Sequence, residues 1–243
     1  MKEIRSLVRE VLSESFLSEN YEDLNNATEE EQLAAVQEDV FAIRQIYNPS
    51  EAVQLAAVKK VGSNIRHIKN PSEAVQLAAV ENNGRAISDI DHPSEAVQLA
   101  AIEQDTYTIR LIKNPTEAAQ LAAVNDINSY YAIKYIDNPT EAVQLAAVKK
   151  DGDNIRLIKN PSEAVQLAAI EQDNYAIKLI QNPSDTIQLA AIKNNADAIK
   201  HIDNPSEAVQ LAAIKNNADA IKHIDNPSAK VKATADLARW MKD

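Results

Sequence analysis

One short segment recurs along this chain. The sequence Gln-Leu-Ala-Ala, followed by Val or Ile, occurs nine times. A proline precedes eight of these copies at a fixed offset, and successive prolines are 22 residues apart seven times and 24 residues apart once, between Pro115 and Pro139. A chain made of copies of one short segment is predicted to fold as an array of similar units. The copies begin at Gln32, Gln54, Gln76, Gln98, Gln120, Gln144, Gln166, Gln188 and Gln210.

The repeats divide the chain into three predicted segments. Residues 27–226 hold nine repeats, with 26 residues before them and 17 after them. Residues 1–26 are predicted to form an amphipathic helix and a linker, acting either as a cap over the first repeat or as a targeting peptide. Residues 227–243 keep the proline but lose Gln-Leu-Ala-Ala, and their more polar helix is predicted to cap the other end, with Trp240 packed there.

Each repeat is predicted to form two helices. In residues 160–182, Asn160 is the predicted N-cap, Pro161 the first helical residue and Glu163 the third, where its carboxylate reaches back to the cap. Residues 164–170 are apolar nearly all round, so this helix must be covered on several sides. A break follows this helix. The three glycines of the chain, Gly62, Gly84 and Gly152, lie at the same break in other repeats, where a left-handed residue is expected. A second, shorter helix then carries Ile177 and Ile180 inward.

A single repeat is too small to fold alone. It offers about five large apolar side chains, worth at most ~3 kcal/mol each when buried. Ordering its 22 residues costs on the order of 30 kcal/mol. Stacking must supply the remaining burial, which predicts an all-α, right-handed α-solenoid of about nine two-helix repeats with capping helices at both ends.

The repeat also resembles a known family. The pattern Asn-Pro-Ser/Thr-Glu-x-Val-Gln-Leu-Ala-Ala-Val-Lys is similar to short two-helix tandem repeats of unknown function in bacteriophages, large DNA viruses and some bacteria, over about 200 of the 243 residues. The resemblance implies an α-solenoid with a unit shorter than that of armadillo, HEAT or tetratricopeptide arrays, and it implies no activity. Residues 1–15 resemble the leader-like start of tailed-phage proteins, and residues 12–14 and 17–19 resemble sites cut by prohead proteases.

Composition excludes several classes of protein. The absence of Cys excludes disulfides and thiolate zinc sites. The sequence has no run of about 18 apolar residues, so no membrane span is predicted. The N-terminus lacks the apolar core of a secretory signal. The net charge of -11 disfavours binding to nucleic acid backbones. Together with the resemblance to repeats of phages and viruses, these observations lead us to expect a protein of the host cytoplasm or of the virion, not secreted by a signal peptide and without membrane contact.

No arrangement of residues predicts catalysis. There is no nucleophile constellation and no Gly-rich phosphate loop, so we expect no enzyme activity, no cofactor, no small-molecule substrate and no metal. The repeated glutamates are predicted to cap their own helices, and the repeated glutamines to bond from repeat to repeat or to the loop between repeats. His201 and His223 hold the same place in adjacent repeats, but a metal bridging them has no evident third ligand.

A basic residue stands at the same place on the second helix of eight repeats. The functional interpretation is a stripe that follows a phosphate chain. The alternative is a solvated face paired with acids such as Asp91, Asp137, Asp203 and Asp225, and the negative net charge favours this alternative. The basic residues are Arg44, Arg66, Arg110, Lys134, Arg156, Lys178, Lys200 and Lys222.

The repeats differ from one another on one face of the second helix. Positions in each repeat are counted from its proline, which is position zero, and the counts in the 24-residue repeat are lowered by its two extra residues. Positions 14 and 18 share a face of an α-helix and point away from the buried isoleucines. In the four middle repeats this face is mostly apolar, which predicts an exposed stripe that binds a protein partner or a second copy, unless neighbouring structure covers it. The predicted stripe consists of Tyr107, Leu111, Tyr131, Tyr135, Leu157, Tyr175 and Leu179.

The sequence thus predicts a non-enzymatic scaffold for protein–protein interaction. One alternative is an acidic decoy that imitates nucleic acid and occupies a host DNA-binding protein, although Lys interleaved with Asp and Glu weighs against it. The other alternative is a structural protein that is packaged in the virion or assembles with itself.

Overall fold

Two runs of helical repeats make up the protein. The computed structural model describes residues 24–241, and within that range it contains helices and turns but no β-strand. The contacts divide the chain into two compact units, unit 1 ending at Ile112 and unit 2 beginning at Lys113, at a boundary between repeats. The predicted all-α fold of repeated helices is confirmed. The predicted N-terminal helix, residues 2–17, lies outside the described residues.

Each repeat pairs an α-helix with a short 3-10 helix. In unit 1 these are α1 (Glu29–Glu38), η1 (Ala42–Gln45), α2 (Glu51–Lys60), η2 (Gly62–His67), α3 (Glu73–Asn82), η3 (Gly84–Asp89), α4 (Glu95–Gln104) and η4 (Thr106–Leu111). In unit 2 they are α5 (Glu117–Asn125), η5 (Ala132–Tyr135), α6 (Glu141–Lys150), η6 (Gly152–Leu157), α7 (Glu163–Gln172), η7 (Asn174–Leu179), α8 (Asp185–Asn194), η8 (Ala196–His201), α9 (Glu207–Asn216), η9 (Ala218–His223) and the final helix α10 (Ala229–Trp240).

The 3-10 geometry sets which residues of the second helix are buried. Three residues per turn place residues i and i+3 on one face. Ile177 within η7 and Ile180 directly after it are both buried, as predicted. Tyr175 and Lys178 lie on a second, exposed face, while the third face pairs buried Ala176 with half-buried Leu179. Each 3-10 helix therefore presents one buried, one exposed and one mixed face.

The α-helix begins two residues later than the sequence predicts. Ser162 is the N-cap of α7, and its hydroxyl accepts a hydrogen bond of 3.3 Å from the backbone N–H of Val165. Asn160 instead has a positive φ of 49° and turns the chain, and Pro161 precedes the helix rather than opening it. Asparagine suits the left-handed conformation because its short polar side chain tolerates it. The serine thus provides the cap that the sequence assigned to the asparagine.

The glutamates link repeats instead of capping their own helices. The Ser184 hydroxyl, at the start of α8, donates to Glu163 of the preceding repeat at 3.1 Å, and the Ser228 hydroxyl donates to Glu207 at 2.8 Å. In α1, by contrast, the Glu31 carboxylate accepts the N–H of Thr28 at 2.8 Å, as a capping box does. The predicted capping role is therefore wrong for the repeats that bind serine in this way.

The glutamines, by contrast, bond within their own repeat. The Gln166 side-chain amide donates to the Pro161 carbonyl at 3.0 Å, which ties the helix to the turn before it. The predicted bond from repeat to repeat is made by another amide, at the end of the α-helix. The Asn82 amide donates to the Lys59 carbonyl at 2.9 Å, and its oxygen accepts the Gly62 N–H at 2.7 Å. This amide satisfies two backbone groups of the preceding repeat, at the end of α2 and at the start of η2.

The glycines allow close approach and not a left-handed turn. None of the three has a positive φ, so the prediction of a left-handed residue at the break is wrong. A Cβ built on Gly62 would lie 2.3 Å from the Ala79 carbonyl oxygen of the next repeat. Gly62 is therefore needed because a backbone passes directly over it.

The final helix covers unit 2 with only part of its length. Val231 and Ala235 of α10 are fully buried, which agrees with the predicted cap. Trp240, however, is 76% exposed, so the prediction that it packs in this cap is wrong. The reason is length: α10 has 12 residues and its neighbour α9 has 10, so the last turn of α10 has no counterpart to pack against.

The left-handed asparagine gives a testable prediction. Replacing Asn160 with Ala keeps the turn but puts a Cβ-bearing residue without a polar side chain at positive φ, which should lower the free energy of unfolding by about 1 kcal/mol. Urea unfolding followed by circular dichroism measures this change. The neighbouring Lys159→Ala, at an exposed position, is the control and should have little effect. Equal losses in both variants would contradict the account.

Candidate functional site

The predicted stripe residues lie on successive 3-10 helices. In unit 2, Tyr131 directly precedes η5, Tyr135 ends η5, Leu157 ends η6, and Tyr175 and Leu179 belong to η7. Tyr131, Tyr135 and Tyr175 are 46%, 36% and 48% exposed, and the two leucines are half-buried. Tyr107, which is exposed, and Leu111, which is half-buried, lie on η4 of unit 1. That all seven residues form one stripe stays a prediction.

The tyrosine and the leucine of one repeat do not share a face. Positions 14 and 18 were paired on the assumption of an α-helix, but in a 3-10 helix four residues correspond to an offset of about 120°. The tyrosine shares its face with position 17, which is the basic residue. In η7 the Lys178 ammonium lies 5.7 Å from the centre of the Tyr175 ring. The sequence prediction of the shared face is therefore wrong for a physical reason, namely the tighter helix.

Cations lie over the tyrosines of unit 2. The Arg156 guanidinium is 5.4 Å from the centre of the Tyr131 ring, which belongs to the preceding repeat. The Lys134 ammonium is 6.0 Å from the Tyr135 ring. Such cation–π contacts are worth about 0.5–1 kcal/mol at exposed sites. In unit 2, residues of the predicted basic column and of the predicted tyrosine stripe thus lie together on one mixed surface.

A histidine extends this surface into the next repeat. The rings of Tyr175 and His201 meet edge to face, with centroids 6.0 Å apart and planes at 67°. We call the set the tyrosine–cation surface, and it consists of Tyr131, Lys134, Tyr135, Arg156, Leu157, Tyr175, Lys178, Leu179, Lys200 and His201.

The charges that act on His201 are positive. Partial burial lowers the pKa of His201, and the charges of Lys200 and Lys178 lower it further. In unit 1 the equivalent His67 also has a lowered pKa, through burial and then through Arg44 and Arg66, but there the Asp89 carboxylate acts in the opposite direction. The histidine environments of the two units thus differ in one carboxylate.

The basic column of unit 1 is partly neutralised. Arg66 forms an ion pair of 3.2 Å with Asp89 of the next repeat, and the Arg44 Nε donates to His67 Nε2 at 3.2 Å. The expectation that the column pairs with acids therefore holds for Arg66. Its partner comes from the neighbouring repeat and is not one of the four aspartates that the sequence suggested.

Sequence reasoning missed the lysine that holds the 24-residue repeat. The Lys150 ammonium donates to the backbone carbonyls of Val124 at 3.1 Å, Ser129 at 2.7 Å and Asp126. It also lies 5.5 Å from the centre of the Tyr130 ring. Lys150 therefore fixes the loop that leads into Tyr131, and the only sequence signal was the two extra residues in this repeat.

The described part of the chain has no cluster of metal-ligating side chains. Among residues 24–241, no group of three or more His, Asp or Glu side chains is placed to hold a metal ion. Within the same range, the helices are too short and too polar to cross a bilayer. His201 is half-buried and His223 is exposed.

Comparison with known proteins adds no relative. No family model matches the sequence, no curated protein matches it significantly, and no solved structure matches its fold significantly. The resemblance to viral and bacterial tandem repeats therefore stays a prediction.

The effect of the neighbouring lysines on the pKa of His201 can be tested by substitution. The substitution Lys178→Gln removes one of the charges that disfavour the imidazolium, so the pKa of His201 should rise toward its usual value of 6.5. A pH titration of the His201 ring protons by NMR measures it. Because the folded-state pKa is lowered, the unfolded chain binds this proton more tightly, and stability falls as the pH drops below 6.5.

Lys159→Gln, in a different repeat, is the control and should leave the titration unchanged. If Lys178→Gln also leaves the pKa unchanged, the lysines do not set the local field.

Proposed function

We propose that this protein is a non-enzymatic scaffold that binds a protein partner through the tyrosine–cation surface of unit 2. The observation that carries the proposal is the exposure of three tyrosines of unit 2, Tyr131 and Tyr135 in one repeat and Tyr175 two repeats further on, beside a frame of buried isoleucines. The viral or phage setting, in a host cytoplasm or a virion, belongs to the proposal and is supported by the sequence resemblance alone.

The chemistry of the surface suits protein recognition. Tyrosine combines a large apolar ring with a hydroxyl and loses little conformational entropy on binding, and it is enriched at the energetic centres of interfaces. Half-buried Leu157 and Leu179 add apolar contact area beside the rings. Arginine, here Arg156, is also favoured in such interfaces.

The separation of the recurring buried residues from the variable surface residues within each repeat supports the same proposal. The α-helices bury side chains that recur in almost identical form, such as Val143, Val165 and Val209. The exposed face of the 3-10 helix carries Tyr131, Asp153 and Tyr175 at equivalent places. The surface residues can therefore change from repeat to repeat without altering the packing, as a binding scaffold requires.

The mixed charge of this surface gives no support to an acidic decoy. A nucleic-acid mimic needs carboxylates arrayed on one face. Unit 2 instead presents Lys134, Arg156 and Lys178 in that place.

The test is site-specific photo-crosslinking followed by measurement of affinity. A photoreactive phenylalanine at position 131 or 175 should capture a defined partner, and the same group at Tyr47, an exposed tyrosine of unit 1, should not. The partner so identified, whether another protein or a second copy, is then titrated against Tyr131→Ala with Tyr175→Ala. Affinity should fall at least about tenfold, as expected for hot-spot tyrosines, while the melting temperature stays close to that of the parent protein.

Tyr47→Ala serves as the matched control for affinity. Equal capture at all three positions, or unchanged affinity of the double variant, would contradict the proposal. A large fall in melting temperature would show that the tyrosines belong to the core.

A further inference from the structure

Among residues 24–241, no carboxylate forms an ion pair with four cations of the tyrosine–cation surface. Lys134, Arg156, Lys178 and Lys200 hold the same place in successive repeats of unit 2. The ion pairs in the described part of unit 2 are Lys230–Glu207 and Arg239–Asp219, and they include none of the four. No carboxylate of the described residues therefore lies within 4.0 Å of these four charges.

In unit 1, the carboxylate that pairs with a cation of the basic column stands at a known position of the next repeat. In unit 1 the Arg66 guanidinium pairs with Asp89, which stands at position 18 of the next repeat. Leu157 and Leu179 stand at that position after Lys134 and Arg156, and His201 stands there after Lys178. Unit 2 therefore carries apolar or basic side chains where unit 1 carries the neutralising carboxylate.

The carboxylates on the same 3-10 helices do not remove this charge. Asp153 lies on η6 with Arg156 and Asp197 lies on η8 with Lys200, and neither carboxylate forms one of the ion pairs named above. The titration of His201 is shifted by Lys200 and Lys178, whereas the shift of His67 in unit 1 is opposed by Asp89. In a chain with a net charge of -11, four cations thus stand beside exposed tyrosines without an ion pair to a described residue.

A peptide fits this surface better than a single-stranded nucleic acid does. Single strands bind by stacking bases on free aromatic faces. Here Arg156 lies over Tyr131, and Lys178 and His201 both contact Tyr175, so these rings already have neighbours. The negative charge of the whole chain also opposes a long polyanion. Short acidic peptides carry fewer charges and can supply apolar groups to Leu157 and Leu179.

The spacing of the repeats defines the pattern of the partner. Packed helices lie about 9–10 Å apart, and an extended peptide advances about 3.3 Å per residue. One repeat therefore corresponds to about three residues of an extended chain. Resting on the proposed function above, we propose that the tyrosine–cation surface binds an extended acidic segment of its partner, with a carboxylate at about every third residue and apolar residues between.

Synthetic peptides test the pattern. A fluorescent peptide with four Glu-Leu-Ser triplets is compared with one of the same composition whose four glutamates are contiguous, and with one in which Gln replaces Glu. Fluorescence anisotropy with the intact protein should show the triplet peptide binding about tenfold more tightly than the contiguous one, and the Gln peptide not binding. Added salt should weaken the binding, because it screens exposed charges.

Two paired variants test the place of the missing acid. The substitutions Leu157→Asp and Leu179→Asp supply Lys134 and Arg156 with the kind of partner that Asp89 gives Arg66, so affinity for the triplet peptide should fall about tenfold or more. Leu157→Asn with Leu179→Asn removes the same apolar area without adding charge and should bind more tightly than the Asp pair. Circular dichroism and the melting temperature confirm that both double variants are folded.

Each result has a defined reading. Equal binding of the Glu and Gln peptides, equal effects of Asp and Asn, or no binding of the triplet peptide at millimolar concentration would overturn the proposal. Tighter binding of a thymidine 12-mer than of the triplet peptide would identify a single-stranded nucleic acid as the ligand instead. A crosslinked partner that is lost with Tyr131→Ala and Tyr175→Ala, but kept with the two Asp substitutions, would refute acidic recognition and leave the scaffold function standing.

Discussion

The burial of one repeat against the next is the interaction on which this structure depends. Val165, Ala169 and Ile170 of a single α-helix are fully buried, although the repeat around them has only 22 residues. So short a segment cannot cover its own apolar helix, because the entropy of ordering exceeds what its few side chains contribute. Hydrogen bonds across the junction add directionality, such as that from Ser184 to Glu163. Within each unit, a repeat thus fixes the position of the next.

The sequence was sufficient to predict the repeated helices and their buried side, because apolar residues recur at the same places in every copy. It was not sufficient for the local geometry. The rule that proline opens a helix favoured Asn160 as the cap, but the Ser162 hydroxyl occupies that place and leaves Asn160 to form the left-handed turn. With ten residues in the α-helix and five between it and the preceding 3-10 helix, little chain is left for the second helix, which forms the tighter 3-10 type.

That tighter helix also explains which features of the candidate site were predictable. Comparing copies identified the variable positions of Tyr131 and Tyr175, since they differ where the buried frame does not. The assumption of 3.6 residues per turn paired Tyr175 with Leu179, whereas three residues per turn pair it with Lys178. Contacts between repeats, such as Arg66 with Asp89, join residues 23 apart and cannot be seen in one copy.

The dependence of each repeat on its neighbours is tested most directly with a peptide spanning residues 160–182, which contains α7 and η7. Helices this short are marginal in water without tertiary packing. The account predicts that the far-ultraviolet circular dichroism of this peptide is that of a disordered chain, whereas the intact protein is strongly helical. A peptide that showed the helical signal of the intact protein per residue, and lost it cooperatively on heating, would contradict the account.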